Sequence, residues 1–278
     1  MAEKGIGYLM SCPCRGPLTC KPGAAMTPSA RRDESATDPA GMTGGQVDAV
    51  SVLTDALKAA GAKDVLDVGC GDGGIARALS RRGFRVTGID PSAAAVARAT
   101  QRVPAARFLC ARAEDLPAGL PLFDAAIFVN SLHHIPTEAM PAALLHTAAV
   151  LRPGGRLVVI EPLAQGSFFR IMQPIEDETR IRALARQAVE RLILDRRLIL
   201  RDLRHWSQES RFAGLEDFVG YLARVTPERV RVAARNQSSL ARAWRDNIRS
   251  RDGMAVLTQP MICWSLSAPA LPSGPEAP

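Results

Sequence analysis

A doubly wound α/β fold is what this sequence predicts: a mostly parallel sheet of seven strands, an antiparallel edge strand, and helical additions near the C-terminus. Three observations carry the prediction. Short apolar runs alternate with stretches of helical periodicity between Val47 and Pro162, the first run breaks into a glycine-rich turn, and successive runs end in acidic or amide residues. Such alternation implies parallel strands joined by crossover helices. Ligands of such sheets sit outside the carboxyl ends of the strands.

From Gly44 onward, Val47, Val50, Leu53, Leu57 and Ala60 recur at steps of three and four, the stripe of an amphipathic helix. Val65–Val68 is the first strand, and the glycine turn after it leads into a helix over Ile75–Arg81. Arg85–Asp90 is the second strand; Pro91-Ser92-Ala93 opens a helix through about Gln101, with Pro91 suited to its first turn. Arg107–Cys110 and Phe123–Asn130 are the third and fourth strands. Pro136–Leu151 reads as a helix closed by Arg152-Pro153-Gly154-Gly155, and Gly155–Glu161 as the fifth strand. Beyond Pro162 the pattern changes. Ile175–Ile199 is helical, His205–Phe212 alternates like a strand, Gly214–Ala223 and Pro227–Ile248 are helical, and Met254–Leu266 is strand-like. Segments 165–202 and 214–251 are therefore expected as helical additions within a domain spanning 44–266, placed to cover an acceptor as a lid.

The glycine turn is ambiguous by itself, because Gly69, Gly71 and Gly74 also satisfy the fingerprint that lets a backbone approach a dinucleotide's pyrophosphate. Asp67 separates the readings. Its carboxylate would repel a diphosphate and would suit a ligand carrying an ammonium group. Asp90, about 20 residues on, has the spacing at which a carboxylate accepts from ribose hydroxyls. After the third strand, Ala113, Glu114 and Asp115 can meet an adenine, the carboxylates taking its exocyclic amine and the backbone its ring nitrogens.

These motifs, together with Asn130-Ser131-Leu132-His133-His134-Ile135 and Leu151-Arg152-Pro153-Gly154-Gly155-Arg156-Leu157, resemble those of the class I S-adenosylmethionine (SAM)-dependent methyltransferases over residues 47–162. The closest pattern is the broad small-molecule group that includes ubiquinone and menaquinone methyltransferases. The resemblance implies a Rossmann-like domain with SAM as cofactor. Asp67 and the backbone of Gly69, Cys70, Gly71 and Gly73 would hold its methionine end, Asp90 with Pro91 the ribose, and Ala113 with Glu114 or Asp115 the adenine. Asn130 stands where many relatives carry Asp, which leaves its part at the cofactor open.

Methyl transfer asks chiefly for proximity, orientation and removal of a proton. His133 and His134, just past the fourth strand, are candidates for a general base, one touching the acceptor and the other supporting the turn. Glu161 is a third candidate, as a carboxylate that orients a hydroxyl or amine, the alternative being a structural partner for an arginine. Arg170, Arg180 and Arg182 read as ion-paired surface groups before they read as a grip on an acidic acceptor. Trp206, Phe212, Phe218, Tyr221 and Trp244 read as scattered core residues.

A chain of 278 residues with 47% apolar content accommodates one such domain and an elaboration. The net charge of +7 invites a nucleic-acid reading, but residues 170–252 hold 18 arginines interleaved with 12 acidic residues, without the aromatic interleaving that stacks single-stranded bases. That favours a solvated, pair-laced surface and disfavours nucleic acid; the 130–133 segment also lacks the signatures of base-modifying enzymes. The resemblance implies methyl transfer to an O, N, S or activated carbon atom of a small-molecule acceptor, the alternatives being an RNA or protein substrate met by the arginine-rich helices or a catalytically silent nucleoside-binding subunit; a homodimer is compatible with the chain. No membrane span and no signal-type apolar run is legible, so a cytoplasmic location is expected. Cys70, Cys110 and Cys263 read as reduced core thiols; Cys12, Cys14 and Cys20 match no zinc spacing, so no metal is expected. Residues 1–40 and 267–278 are expected to be disordered tails, and Met26 or Met42 is a candidate start.

Overall fold

The computed structural model describes residues 48–225 and 228–269. The expectations for residues 1–40, for Cys12, Cys14 and Cys20, and for the last residues of the C-terminal tail lie outside this range.

Helix α1 (Ala49–Ala59) starts at Asp48, whose carboxylate accepts from the Ser51 amide at 2.6 Å while Ser51 returns a bond to the Asp48 backbone. This reciprocal cap fixes the first turn, and the apolar stripe buries Val52, Leu53 and Leu57. Then follow β1 (Asp64–Val68), α2 (Gly74–Ser80), β2 (Arg85–Asp90), α3 (Ala93–Arg102), β3 (Arg107–Cys110) and β4 (Phe123–Val129). Pro91 is not in the first turn of α3. Ser92 is the cap, accepting from the Ala95 amide at 3.3 Å, so the proline precedes the helix.

The helix expected over Pro136–Leu151 is shorter. A 3₁₀ turn occupies Leu132–His134, α4 runs over Met140–Ala149 with a proline in its first turn, and Leu151 already belongs to β5 (Leu151–Pro162). Strand β5 starts early because Leu151 pairs with Phe123 before a register shift carries the chain past Arg152–Gly155 to the Ala125–Arg156 pair.

The sheet order is β3-β2-β1-β4-β5-β8-β6, with β6 (Ile199–Phe212) at the edge and β8 (Met254–Ser267) antiparallel to both of its neighbours. A three-residue strand, β7 (Arg249–Arg251), pairs with the start of β8 and brings the count to eight. Both faces of the sheet are covered. Leu66, Val68, Phe128 and Val159 pack under α4 and α6 (Thr179–Leu194); Val65, Ile127, Val158 and Ile160 pack under α1 and α2.

Strand β8 pairs with β5 only from Met261 onward, so Met254–Pro260 and their β6 partners, Ser207–Phe212, run on past Pro162 beyond the sheet's carboxyl edge. Four helices gather on this ribbon: α5 (Gly166–Met172), α7 (Leu215–Val225), α8 (Glu228–Arg235) and α9 (Gln237–Asn247). They enclose a third apolar core containing Phe169, Phe212, Phe218, Leu240 and Leu257. Four of the five aromatics that look scattered in sequence meet here, while Trp206 packs against the core under α1 and α2. Phe218 lies edge-on to Phe168 and Phe212 at centroid distances of 5.2 and 5.3 Å, and Tyr221 and Trp244 complete the cluster.

The additions are therefore a ribbon with helices rather than helices alone. Residues 199–202 and 249–251 are strands, the 175–199 stretch contains a single helix, and the 227–248 stretch breaks at Asn236. Among the described residues no helix is long and apolar enough to cross a membrane.

Candidate active site

The first four strand ends and the glycine turn meet at the carboxyl edge. Asp67 is 2% exposed, and one of its carboxylate oxygens is buried with no partner among the described residues. Burial first, and the nearby charge of Asp90 second, push its carboxyl up to about 7. Above it Gly69, Gly71 and Gly73 all adopt positive φ, where an L side chain is strained. A Cβ on Gly69 would stand 2.6 Å from that of Ser131, so the turn can only pass there as glycine. Ser131 is itself fixed, donating to the Val68 carbonyl at 2.7 Å.

Asp90 holds the turn from the neighbouring strand. Its two oxygens accept from the amides of Gly71 at 2.9 Å and Ser92 at 2.8 Å. Cys70 is buried, its thiol pushed up by desolvation, and its sulfur fills the space beside Gly88. Cys110 is exposed, contrary to the core-thiol expectation, because it ends a strand at the sheet's edge; its sulfur lies 3.6 Å from the carbonyl of Pro91. Ala113 is buried in the core under α4, whereas Asp115 is exposed and Glu114 is engaged by Arg112 at 2.6 Å. Asn130 has φ of 52°, a left-handed conformation that asparagine tolerates better than most residues, so its place in the turn has a backbone reason.

Across the edge, Glu161 is 2% exposed and fully engaged. One oxygen accepts from the amides of Ser131 at 3.2 Å and Leu132 at 2.9 Å; the other is bonded to Nδ1 of His133. Its partner is thus a histidine, and neither oxygen faces outward. Desolvation would lower the His133 pKa, but the charge and hydrogen bond of Glu161 overcome it and raise the imidazole above its ordinary value. His134 is exposed, with its ring centroid 4.1 Å from that of His133. The two rings do not diverge as they would leaving a strand, because the 3₁₀ turn carries them. His134 is held below its ordinary value by desolvation and by the charge of His133.

A buried ionic knot joins α6 to the ribbon module and is not evident in the sequence. Arg182 is buried rather than on the surface. It donates to Glu178 at 2.8 Å, to the Leu163 carbonyl at 3.1 Å and to Gln259 at 3.3 Å, and stacks on Phe169. Arg229, also buried, bonds Glu176 at 2.7 Å and reaches Glu178 at 3.5 Å. The only hint was the four-residue spacing of Glu178 and Arg182, which reads equally as a surface pair. Arg170 and Arg180 are exposed. Among the described residues no cluster of histidine, cysteine and carboxylate side chains has the makings of a metal site.

Residues 65–155 match the profile of a family described as a methyltransferase domain. An uncharacterized methyltransferase of Mycobacterium tuberculosis is 40% identical over 110 residues, which are 39% of this chain and 55% of that protein. A ubiquinone biosynthesis O-methyltransferase of Alkalilimnicola ehrlichii is 39% identical over 100 residues, 34% of this chain and 39% of the relative. The chain thus spans about half the length of the first of these relatives and less of the second. Among solved structures, the YcgJ protein of Bacillus subtilis superposes with a TM-score of 0.53 at 16% identity, covering 80% of this chain and 98% of that one. A Bacillus halodurans protein provisionally assigned as a methyltransferase gives 0.56 at 18%, covering 79% of this chain and all of its own. At these identities the structural likeness speaks for the fold.

Proposed function

We propose that this chain, whose residues 65–155 form a class I SAM-dependent methyltransferase domain, transfers a methyl group to a small-molecule acceptor held between the sheet's carboxyl edge and the ribbon module. The observation that carries the reading is the buried, partnerless oxygen of Asp67 beneath three glycines of positive φ. A buried carboxylate without a countercharge is costly, and a ligand bearing an ammonium group supplies one. SAM is such a ligand, so the residues present fit it. Asp67 and the Gly69–Gly73 backbone would hold its amino-acid end, Asp90 its ribose, and the Ala113–Asp115 backbone its adenine. The Glu114 side chain, engaged by Arg112, contributes less than its backbone in this arrangement.

When bound, SAM supplies an electrophilic methyl group on a sulfonium. The protein's share is orientation, exclusion of water and disposal of the acceptor's proton. Glu161 acts through His133 rather than on a ligand, since both its oxygens are committed to the 3₁₀ turn. Support for a small acceptor comes from the relative named for ubiquinone biosynthesis and from the paired state of many surface arginines. Arg186, Arg191, Arg204, Arg211 and Arg251 each reach an acidic residue within 3.7 Å.

Calorimetric titration with S-adenosylhomocysteine tests the reading. Binding is expected, weakened about 10- to 150-fold in Asp90→Ala through the loss of charge-assisted hydrogen bonds. No detectable binding to the wild-type chain would end the proposal.

A further inference from the structure

We propose that His146, an exposed residue late in α4, is a positioning residue for the cofactor: its Nδ1–H holds the loop between β3 and β4 in the conformation that receives the adenine. The inference rests on the SAM reading above and adds to it a residue outside the strand ends and the glycine turn.

The loop needs such a tie. Residues 111–122 carry the chain from β3 back to β4 without a helix, and Gly119 within them stands at φ of 80°. Crossovers between parallel strands are usually helices that pack on the sheet along their length. Here Ala113 is buried, but Leu116 and Leu120 are only half-buried against the core. Residues 114–120 stand off α4 across a cleft of about 410 Å³, with His146, Ala149 and Val150 on its far wall. A space of that size is far larger than the voids of a close-packed interior, so packing does not fix the loop on this side.

Its hydrogen bonds show the same division. The Asp115 amide donates to the Arg112 carbonyl at 3.2 Å, and the Arg112 guanidinium donates to the Glu114 carboxylate at 2.6 Å. Both bonds are internal to the loop and move with it. At the loop's start the Ala111 amide donates to the Asp90 carbonyl at 3.1 Å. Among the described residues, the hydrogen bond that ties the middle of the loop to another element joins His146 Nδ1 to the Glu114 carbonyl at 2.8 Å. A carbonyl only accepts, so Nδ1 carries the hydrogen. The peptide between Glu114 and Asp115 is thereby gripped on both sides, its carbonyl by α4 and its amide by Arg112. This peptide belongs to the segment assigned above to the adenine.

Gripping it selects one conformation of the loop before the ligand arrives. A site that reaches its binding-competent state only part of the time loses affinity by that fraction. One hydrogen bond of this kind biases the population by about three- to tenfold, which is the loss of affinity expected when it is removed. A histidine in the last turn of α4 also suits the helix dipole, so the test has to separate a role in the helix from a role in the loop.

The experiment is calorimetric titration of the full chain with S-adenosylhomocysteine, paired with amide hydrogen exchange of residues 111–122 in the ligand-free protein. His146→Phe keeps a ring and removes the donor; His146→Asn returns an N–H near the place of Nδ1. The phenylalanine variant should bind S-adenosylhomocysteine about three- to tenfold more weakly and exchange faster in the loop, and the asparagine variant should restore both. His146 is exposed, so both variants should fold, which thermal melts check. Unchanged affinity and loop exchange in the phenylalanine variant, with only the melting temperature lowered, would assign His146 to the helix and overturn the proposal. So would a loss that asparagine does not restore. If the wild-type chain fails to bind S-adenosylhomocysteine, the methyltransferase reading fails instead, and hydrogen exchange still decides whether His146 holds the loop.

Discussion

Asp67→Asn should make the ligand-free protein more stable at pH 8 while removing its affinity for SAM. The carboxyl of Asp67 is pushed up to about 7 from 3.8 by burial and by Asp90. A shift of roughly three units corresponds to about 4 kcal/mol, as an upper figure, by which ionisation of this group opposes folding. The sign follows from proton binding. With its folded pKa raised, Asp67 binds more protons in the native state than in the unfolded one, so its contribution is intact below about pH 4 and is lost as pH rises through about 7. Asparagine has the shape of the protonated acid and does not ionise. The advantage of the variant should therefore be small near pH 4 and grow to as much as about 4 kcal/mol by pH 8. Urea unfolding of both proteins across that range, without ligand, measures it. Parallel stability curves would refute the claim that Asp67 is a buried carboxylate waiting for a countercharge.

Gly69→Ala should fold poorly or lose S-adenosylhomocysteine binding, since the new Cβ would meet that of Ser131 at 2.6 Å in a backbone of φ 74°; calorimetry beside a thermal melt distinguishes the two outcomes. Glu161→Gln should cost about 3–5 kcal/mol at pH 6, because it uncouples a buried charge pair. His133 has a raised pKa, so this cost is full below about 6.5 and shrinks as pH rises through the native value; a gap that widened with pH would contradict the pairing. Arg182→Met should destabilise the ribbon module by leaving Glu178 underpaired, and hydrogen exchange at Leu163 and Gln259 should quicken; unchanged exchange would mean that the knot does not tie the module down. RNA binding should be weak. Tight binding with a steep log–log salt dependence would favour an RNA substrate instead.

The strands β1 to β5 were legible because each is a short apolar run bounded by a turn signal, and Asp67, Asp90 and the glycines were legible because their spacing is local. What lay hidden was long-range. Residues 199–202 read as the end of a helical addition because they are polar and apolar by turns without strict alternation. They form a strand because β8 offers an edge more than 50 residues away in sequence. Glu178 and Arg182 look like any exposed pair at helical spacing, and become a buried knot only when Gln259, Leu163 and Arg229 arrive from three other elements. The His133–Glu161 bond likewise depends on two strand ends meeting, which gives no local pattern. Residue type suggested both as candidates; the fold assigned one to hold the other.

The most direct test of the account is a crystal structure of the full chain with S-adenosylhomocysteine. The account predicts its ammonium group at Asp67, its ribose hydroxyls at Asp90, and its adenine at the Ala113–Asp115 backbone. A ligand bound elsewhere, or one that left the Asp67 carboxylate without a cationic partner, would contradict it.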